Sequence, residues 1–133
     1  MTAVPHKTRV LVADDDADIR VLVGIAVRKS GLELVGAAAD GNEAWELVNA
    51  LKPDLVVTDV SMPGLTGLDL CRLIHVDGEL SGTRVVLLSA AVDEQAHIAG
   101  LDAGAIDYLI KPFSPRELAE RLVALTQSST ARQ

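Results

Sequence analysis

Five short apolar runs, Arg9 to Ala13, Glu33 to Ala38, Leu55 to Thr58, Arg84 to Ser89 and Ile106 to Ile110, are separated by stretches whose apolar residues recur at helical spacing. This alternation leaves few options. A short β-branched run bounded by polar residues reads as a strand buried on both faces, the condition of parallel sheets. Parallel neighbours need a crossover connection, and a helix usually supplies it. Strand and helix alternating five times predict one α/β domain, a doubly wound five-stranded parallel sheet with helices on both faces.

The helices differ in clarity. Ile19, Leu22, Val23 and Ala26 form one apolar stripe, and Ala44, Leu47, Val48 and Leu51 form another; Gly31 and Pro53 end them. Gly67 to His75 gives a third through Leu70, Leu73 and Ile74. The fifth is the clearest, with Ser114 as cap, Pro115 first, Glu117 third, and Leu118, Leu122 and Leu125 facing inward. The fourth, Asp93 to Asp102, has few large apolar residues and carries Gly100 inside it. The expected organisation is an N-terminal extension over 1–7, a domain over 8–126, and a tail or linker start over 127–133, where the periodicity is lost.

Composition narrows the function classes. At 133 residues and 49% hydrophobic, the chain can build one real core. Aromatic residues are only 2%, so stacking platforms for single-stranded nucleic acid are nearly absent, and a net charge of -7 disfavours phosphate backbones and anionic lipid. No direct nucleic-acid or membrane contact is expected. Cys71 is the single cysteine, which excludes an internal disulfide and fits a reducing compartment. No segment resembles a signal peptide or a membrane span, so a cytoplasmic location is expected.

Polar residues gather where the strands end. The first run leads into Asp14-Asp15-Asp16, the third into Asp59-Val60-Ser61-Met62-Pro63-Gly64, the fourth into Ser89-Ala90, and the fifth into Lys111-Pro112-Phe113. The carboxyl ends of parallel strands share one edge of the sheet, where ligands bind in such folds. Two carboxylates about 5 Å apart repel by roughly 3 kcal/mol at an effective dielectric of 20. A hard cation with oxygen ligands would relieve that repulsion.

In combination, the acidic pair, Asp59 followed by Met62-Pro63-Gly64 and Gly67, Ser89-Ala90, and Tyr108 ahead of Lys111-Pro112-Phe113 resemble a response-regulator receiver domain over residues 8 to 126. The resemblance implies a flavodoxin-like strand order 2-1-3-4-5. It implies Asp59 as phosphoryl acceptor from the phosphohistidine of a sensor histidine kinase or a histidine phosphotransfer protein. Mg²⁺ would be bound directly by Asp15, Asp59 and the backbone carbonyl of Ser61, and through water by Asp14. Asp16 then falls to the surface or caps a helix. Lys111 would pair with the phosphoryl oxygens or with the Asp59 carboxylate, Ser89 would donate its hydroxyl to the phosphoryl group, and Ala90 would keep the entrance open. A cis Lys111–Pro112 bond is implied as well. Ser89 and Tyr108 would form the switch, changing the face made by helix four, strand five and helix five for a partner or output domain. Any reaction is confined to the chain's own Asp59, so a conventional enzyme is not expected.

Taken singly, these residues have plainer readings. An acidic run after a strand is more often a solvated loop or cap, Asp59 could be a turn residue, Lys111 a surface lysine, and Ser89 and Tyr108 ordinary strand residues. His6, His75 and His97 lack metal-ligand spacing and read as surface or boundary positions. Cys71 reads as a small core hydrophobe on helix three and Trp45 as packing on the flank of helix two. On helix four His97 is the one candidate basic residue, while Asp107, Glu117 and Arg121 stand at matching positions, so monomer and phosphorylation-dependent homodimer both stay open. Ser61 and Ala91, two residues after Asp59 and Ser89, are small and offer little shielding of a phosphoryl group.

Two other function classes compete. A haloacid-dehalogenase-like phosphatase would use Asp14 as nucleophile and Asp16 as acid/base; it lacks the later acidic pair and leaves Asp59 and Lys111 unexplained. A receiver fold used as an interaction module without phosphorylation would not need the complete acid, hydroxyl and lysine set.

Overall fold

The structure, a computed structural model, describes residues 7–90 and 94–131. Within it five strands, β1 (Arg9–Ala13), β2 (Glu33–Ala38), β3 (Leu55–Asp59), β4 (Arg84–Ala90) and β5 (Asp107–Lys111), alternate with α1 (Ala17–Lys29), α2 (Gly41–Leu51), α3 (Gly67–Val76), α4 (Glu94–Asp102) and α5 (Pro115–Ala131). All strand pairs are parallel and the order is β2-β1-β3-β4-β5. Placing β3 centrally explains its composition: every residue from Leu55 to Asp59 is buried.

Side chains alternate across the sheet, and so do its two cores. Val10, Val12, Val57, Val86, Leu88 and Leu109 face one side, against Val23, Ala26 and Val27 of α1 and Leu118 and Leu122 of α5. Leu11, Val56, Val85, Leu87 and Tyr108 face the other, against Ala44 and Val48 of α2 and Leu70, Cys71 and Ile74 of α3. Trp45 packs at the flank of this second core, and Cys71 is buried within it. His75 is exposed.

Local signals fix the helix starts. The Asp16 carboxylate accepts from the amides of Asp18 and Ile19 at 2.9 and 3.2 Å, Asp40 from that of Glu43, and the Ser114 hydroxyl from that of Glu117 at 3.0 Å. Thr66 and Asp69 close a capping box on α3. The weak pattern of α4 has a packing reason: a Cβ on Gly100 would stand 2.5 Å from a methyl of Leu87 on β4, so glycine lets this helix approach the sheet. One element has no periodic signal, the 3-10 turn Gly78–Leu80, which Asp77 caps and Leu80 anchors in the core.

The fifth helix runs past residue 126, where the apolar stripe ends, to Ala131; Gln127 to Ala131 contain no Gly or Pro to stop it. The expectations for residues 1–6 with His6, for Ala91, for a start of helix four at Asp93, and for the side chains of Ala90 and His97 lie outside the described residues.

Candidate functional site

β1, β3 and β5 deliver their last residues to one edge of the sheet. Asp14 follows Ala13, and its amide still reaches the carbonyl of Ala38 on β2 at 3.1 Å. Its side chain has no exposure, one carboxylate oxygen accepting from the Asp16 amide at 2.9 Å and the other from Lys111 Nζ at 3.0 Å. Lys111 Nζ also stands 3.3 Å from a carboxylate oxygen of Asp59. Asp15 is exposed beside them, and carboxylate oxygens of Asp14, Asp15 and Asp59 all lie within 4.8 Å of one another.

Charge in this cluster is strained. Burial raises the pKa of Asp59 above the ordinary aspartate value and the nearby Asp14 charge adds to it, while Lys111 and a hydrogen bond from the Ser61 amide pull the other way. Burial also works against the ammonium of Lys111. Its hydrogen bond to Asp14 and the charges of both acids outweigh that and hold its pKa above the usual lysine value.

Three convergent carboxylates with no imidazole or thiolate among them suit a hard divalent cation such as Mg²⁺. A cation there would offset the repulsion that raises Asp59. The arrangement thus offers a buried carboxylate nucleophile, an acid set for a metal, and an ammonium already placed beside the nucleophile.

Ser89 and Tyr108, the residues expected to form a switch, lie on the neighbouring strands. Asp59 registers with Leu88 on β4, so Ser89 lies one residue beyond the neighbour of Asp59, and it is buried. Leu87 registers with Tyr108 on β5, and by alternation Ser89 turns to the same face as both. Tyr108 is itself buried in that core, in an inward packing. The Lys111–Pro112 bond is cis, as the resemblance implies.

Asp14, Asp15, Asp59 and Lys111 therefore come together as expected, with Ser61 touching Asp59 through its amide. Asp16 is apart, spent on the α1 cap. Three contributors were given no structural role from the sequence. Arg20 on α1 donates from Nη1 to the carbonyl of Asp14 at 2.8 Å. Gly41 admits the loop after β3, since a Cβ there would stand 1.7 Å from the carbonyl oxygen of Leu65. Gly67, quoted as a motif residue with no reason attached, lets α3 begin against Asp59, whose carbonyl oxygen a Cβ would meet at 2.1 Å. No helix among the described residues is long and apolar enough to cross a membrane.

Comparison with known proteins agrees with this fold. A family model described as response regulator receiver domain matches residues 10–123. The DNA-binding response regulator MtrA of Mycobacterium tuberculosis is 40% identical over 118 residues, covering 89% of this chain and 50% of that protein. The phosphate regulon transcriptional regulatory protein PhoB of Pseudomonas aeruginosa is 37% identical over 116 residues, covering 87% and 50%. The chain spans about half the length of these relatives. Among solved structures, the receiver domain of Francisella response regulator 1452 superimposes with a TM-score of 0.80 at 35% identity, covering 92% of this chain and 98% of that one. The chemotaxis response regulator CheY4 of Vibrio cholerae gives 0.81 at 28% identity, covering 90% and 99%.

Proposed function

The chain belongs to the response regulator receiver family, whose general function is phosphorylation-based switching, and from that premise we propose that Asp59 accepts a phosphoryl group and passes the event to the face of α4, β5 and α5. The observation that carries this reading is Lys111 Nζ, 3.0 Å from Asp14 and 3.3 Å from Asp59 at the mouth of an oxygen-only acid cluster. Asp59 Oδ attacks phosphorus of a phosphohistidine in line; the P–N bond breaks, its electron pair stays on the imidazole nitrogen, and an acyl phosphate remains on Asp59.

Asp59, Asp15 and the Ser61 carbonyl would hold Mg²⁺ directly, and Asp14, whose two oxygens are already occupied by Lys111 and the Asp16 amide, would act through water. When bound, the ion neutralises charge developing on the phosphoryl oxygens. Lys111 approaches those oxygens from the protein side, its ammonium half-buried and already oriented by Asp14 and Asp59. Ser89 donates its hydroxyl to the new group. Movement of Ser89 changes the packing of Tyr108 on the same face; since Tyr108 is already buried in this conformation, phosphorylation acts by raising the population of such a packing.

The donor is a sensor histidine kinase or histidine phosphotransfer protein in the cytoplasm, and the recipient is an output domain or separate partner. Relatives bearing DNA-binding and transcriptional names favour a regulatory output, with this segment itself touching no nucleic acid. Nothing at Asp16 favours the phosphatase reading, because its carboxylate serves the α1 cap instead of facing a substrate.

Incubation with Mg²⁺ and a small acyl phosphate, followed by intact-mass measurement, tests the proposal. One phosphoryl group per chain, lost on chelation and in Asp59→Asn, is expected. Steady turnover of phosphate monoesters would point to the phosphatase, and no adduct with any donor would leave an interaction module.

A further inference from the structure

The ladder that fixes β1 ends at Ala13, which registers with Thr58 on β3 and Ala38 on β2. Beyond it the chain must turn into the acidic loop, and the carbonyl of Asp14 needs a partner outside the sheet. Arg20 provides it: from the second turn of α1, Nη1 donates to that oxygen at 2.8 Å. Peptide planarity makes this bond consequential. The Asp14 carbonyl and the Cα of Asp15 share one rigid plane, so fixing the oxygen fixes where Asp15 begins.

Asp14 needs no further help of its own, since its amide and both carboxylate oxygens are already engaged. Asp15 differs. It is exposed, so packing does not hold its side chain, yet its carboxylate must converge with those of Asp14 and Asp59.

We propose that Arg20 is a positioning residue of the metal and phosphoryl site, aiming the Asp15 carboxylate by clamping the Asp14 carbonyl from α1. The inference rests on the Mg²⁺ reading above. Arginine suits the task because its guanidinium stays charged and directional, and a charge-assisted bond to a carbonyl is stronger than a neutral one.

Mg²⁺ alone, titrated calorimetrically into the metal-free chain, separates positioning from simple structural support when urea unfolding in EDTA is measured alongside. Arg20→Met, which keeps the stem but removes the donor, should weaken Mg²⁺ binding by about ten- to a hundredfold, as loss of an outer-shell partner does. Arg20→Lys, still able to donate to the carbonyl, should recover part of the affinity. A Kd within about twofold of the parent's in Arg20→Met, whatever happens to the urea midpoint, overturns the proposal. Should Arg20→Met not fold, Arg20→Gln is judged by the same criterion. A parent chain that fails to bind Mg²⁺ removes the metal reading and this proposal together, whereas normal binding in both parent and variant removes Arg20 alone.

Discussion

Replacing Asp59 by Asn should make the metal-free protein more stable, although it removes an ion pair. At an effective dielectric of 20, the separation of up to 4.8 Å between the Asp14 and Asp59 oxygens corresponds to at least about 3 kcal/mol of repulsion, and the 3.3 Å contact with Lys111 to about 5 kcal/mol of attraction. Burial of the carboxylate opposes the charged form by several kcal/mol more. The raised pKa of Asp59 shows which side wins: burial and Asp14 together outweigh Lys111 and the Ser61 amide.

An acid whose folded pKa lies above its unfolded one stabilises the fold below the unfolded value, and that stability is lost as pH rises through the folded value. Above the ordinary aspartate value the parent therefore carries a penalty that the variant lacks, growing as pH rises toward the folded pKa. Lys111 keeps its 3.0 Å bond to Asp14 in the variant, so the gain should be on the order of 1 kcal/mol, the lost attraction offsetting most of the relieved repulsion and burial cost. Calorimetry in EDTA should show Tm rising by about 3 to 5 °C at pH 7, between the sensitivities of smaller and larger domains. The advantage should vanish as pH falls below 3.8, the ordinary aspartate value. Saturating Mg²⁺ reverses the ranking, adding about 2.7 kcal/mol to the parent at a hundredfold excess over Kd and less to the variant. A variant clearly less stable than the parent at pH 7 in EDTA would refute the account of a strained acid cluster.

Three other perturbations follow from the same geometry. Lys111→Met strands the fully buried Asp14 carboxylate and should lower stability by about 3 kcal/mol in urea titration at pH 7; the contribution it removes exists below the ordinary lysine pKa and fades as pH rises through the raised one. Gly67→Ala puts a Cβ 2.1 Å from the Asp59 carbonyl oxygen, so α3 must shift, with a loss of at least about 1 to 3 kcal/mol and slower phosphoryl uptake measured by mass. Cys71, buried with its thiol pushed up to about 11, should resist a thiol reagent at pH 8 until urea unfolds the domain.

The sheet was legible because apolar runs and cap residues are local signals. Where the sequence reading and the structure differ at strand ends, polar residues are the reason. Asp59 and Lys111 join the ladders opposite Leu88 and Ala90, although an apolar run stops before each of them. β5 begins at Asp107 instead of Ile106, whose amide still reaches the Val85 carbonyl. Strand order carries no local signal and came from the resemblance.

The acids and the lysine were legible as strand-end residues, but their supports were not. Arg20 looks like any polar residue on an amphipathic helix, and its bond depends on where α1 lies over the end of β1. Gly41 and Gly67 read as loop or cap glycines until the neighbouring backbone is seen. The role of Gly100 likewise appears only when α4 is set against Leu87.

The central claim is that the phosphoryl group resides on Asp59. An aspartyl phosphate is an acyl phosphate, and borohydride reduces it to the alcohol, leaving homoserine at the modified position. After incubation with Mg²⁺ and acyl phosphate, reduction and peptide sequencing by mass spectrometry, homoserine should appear at position 59 and at no other aspartate. Homoserine at position 14 or 15, or none in a protein that has gained a phosphoryl group, would contradict the account.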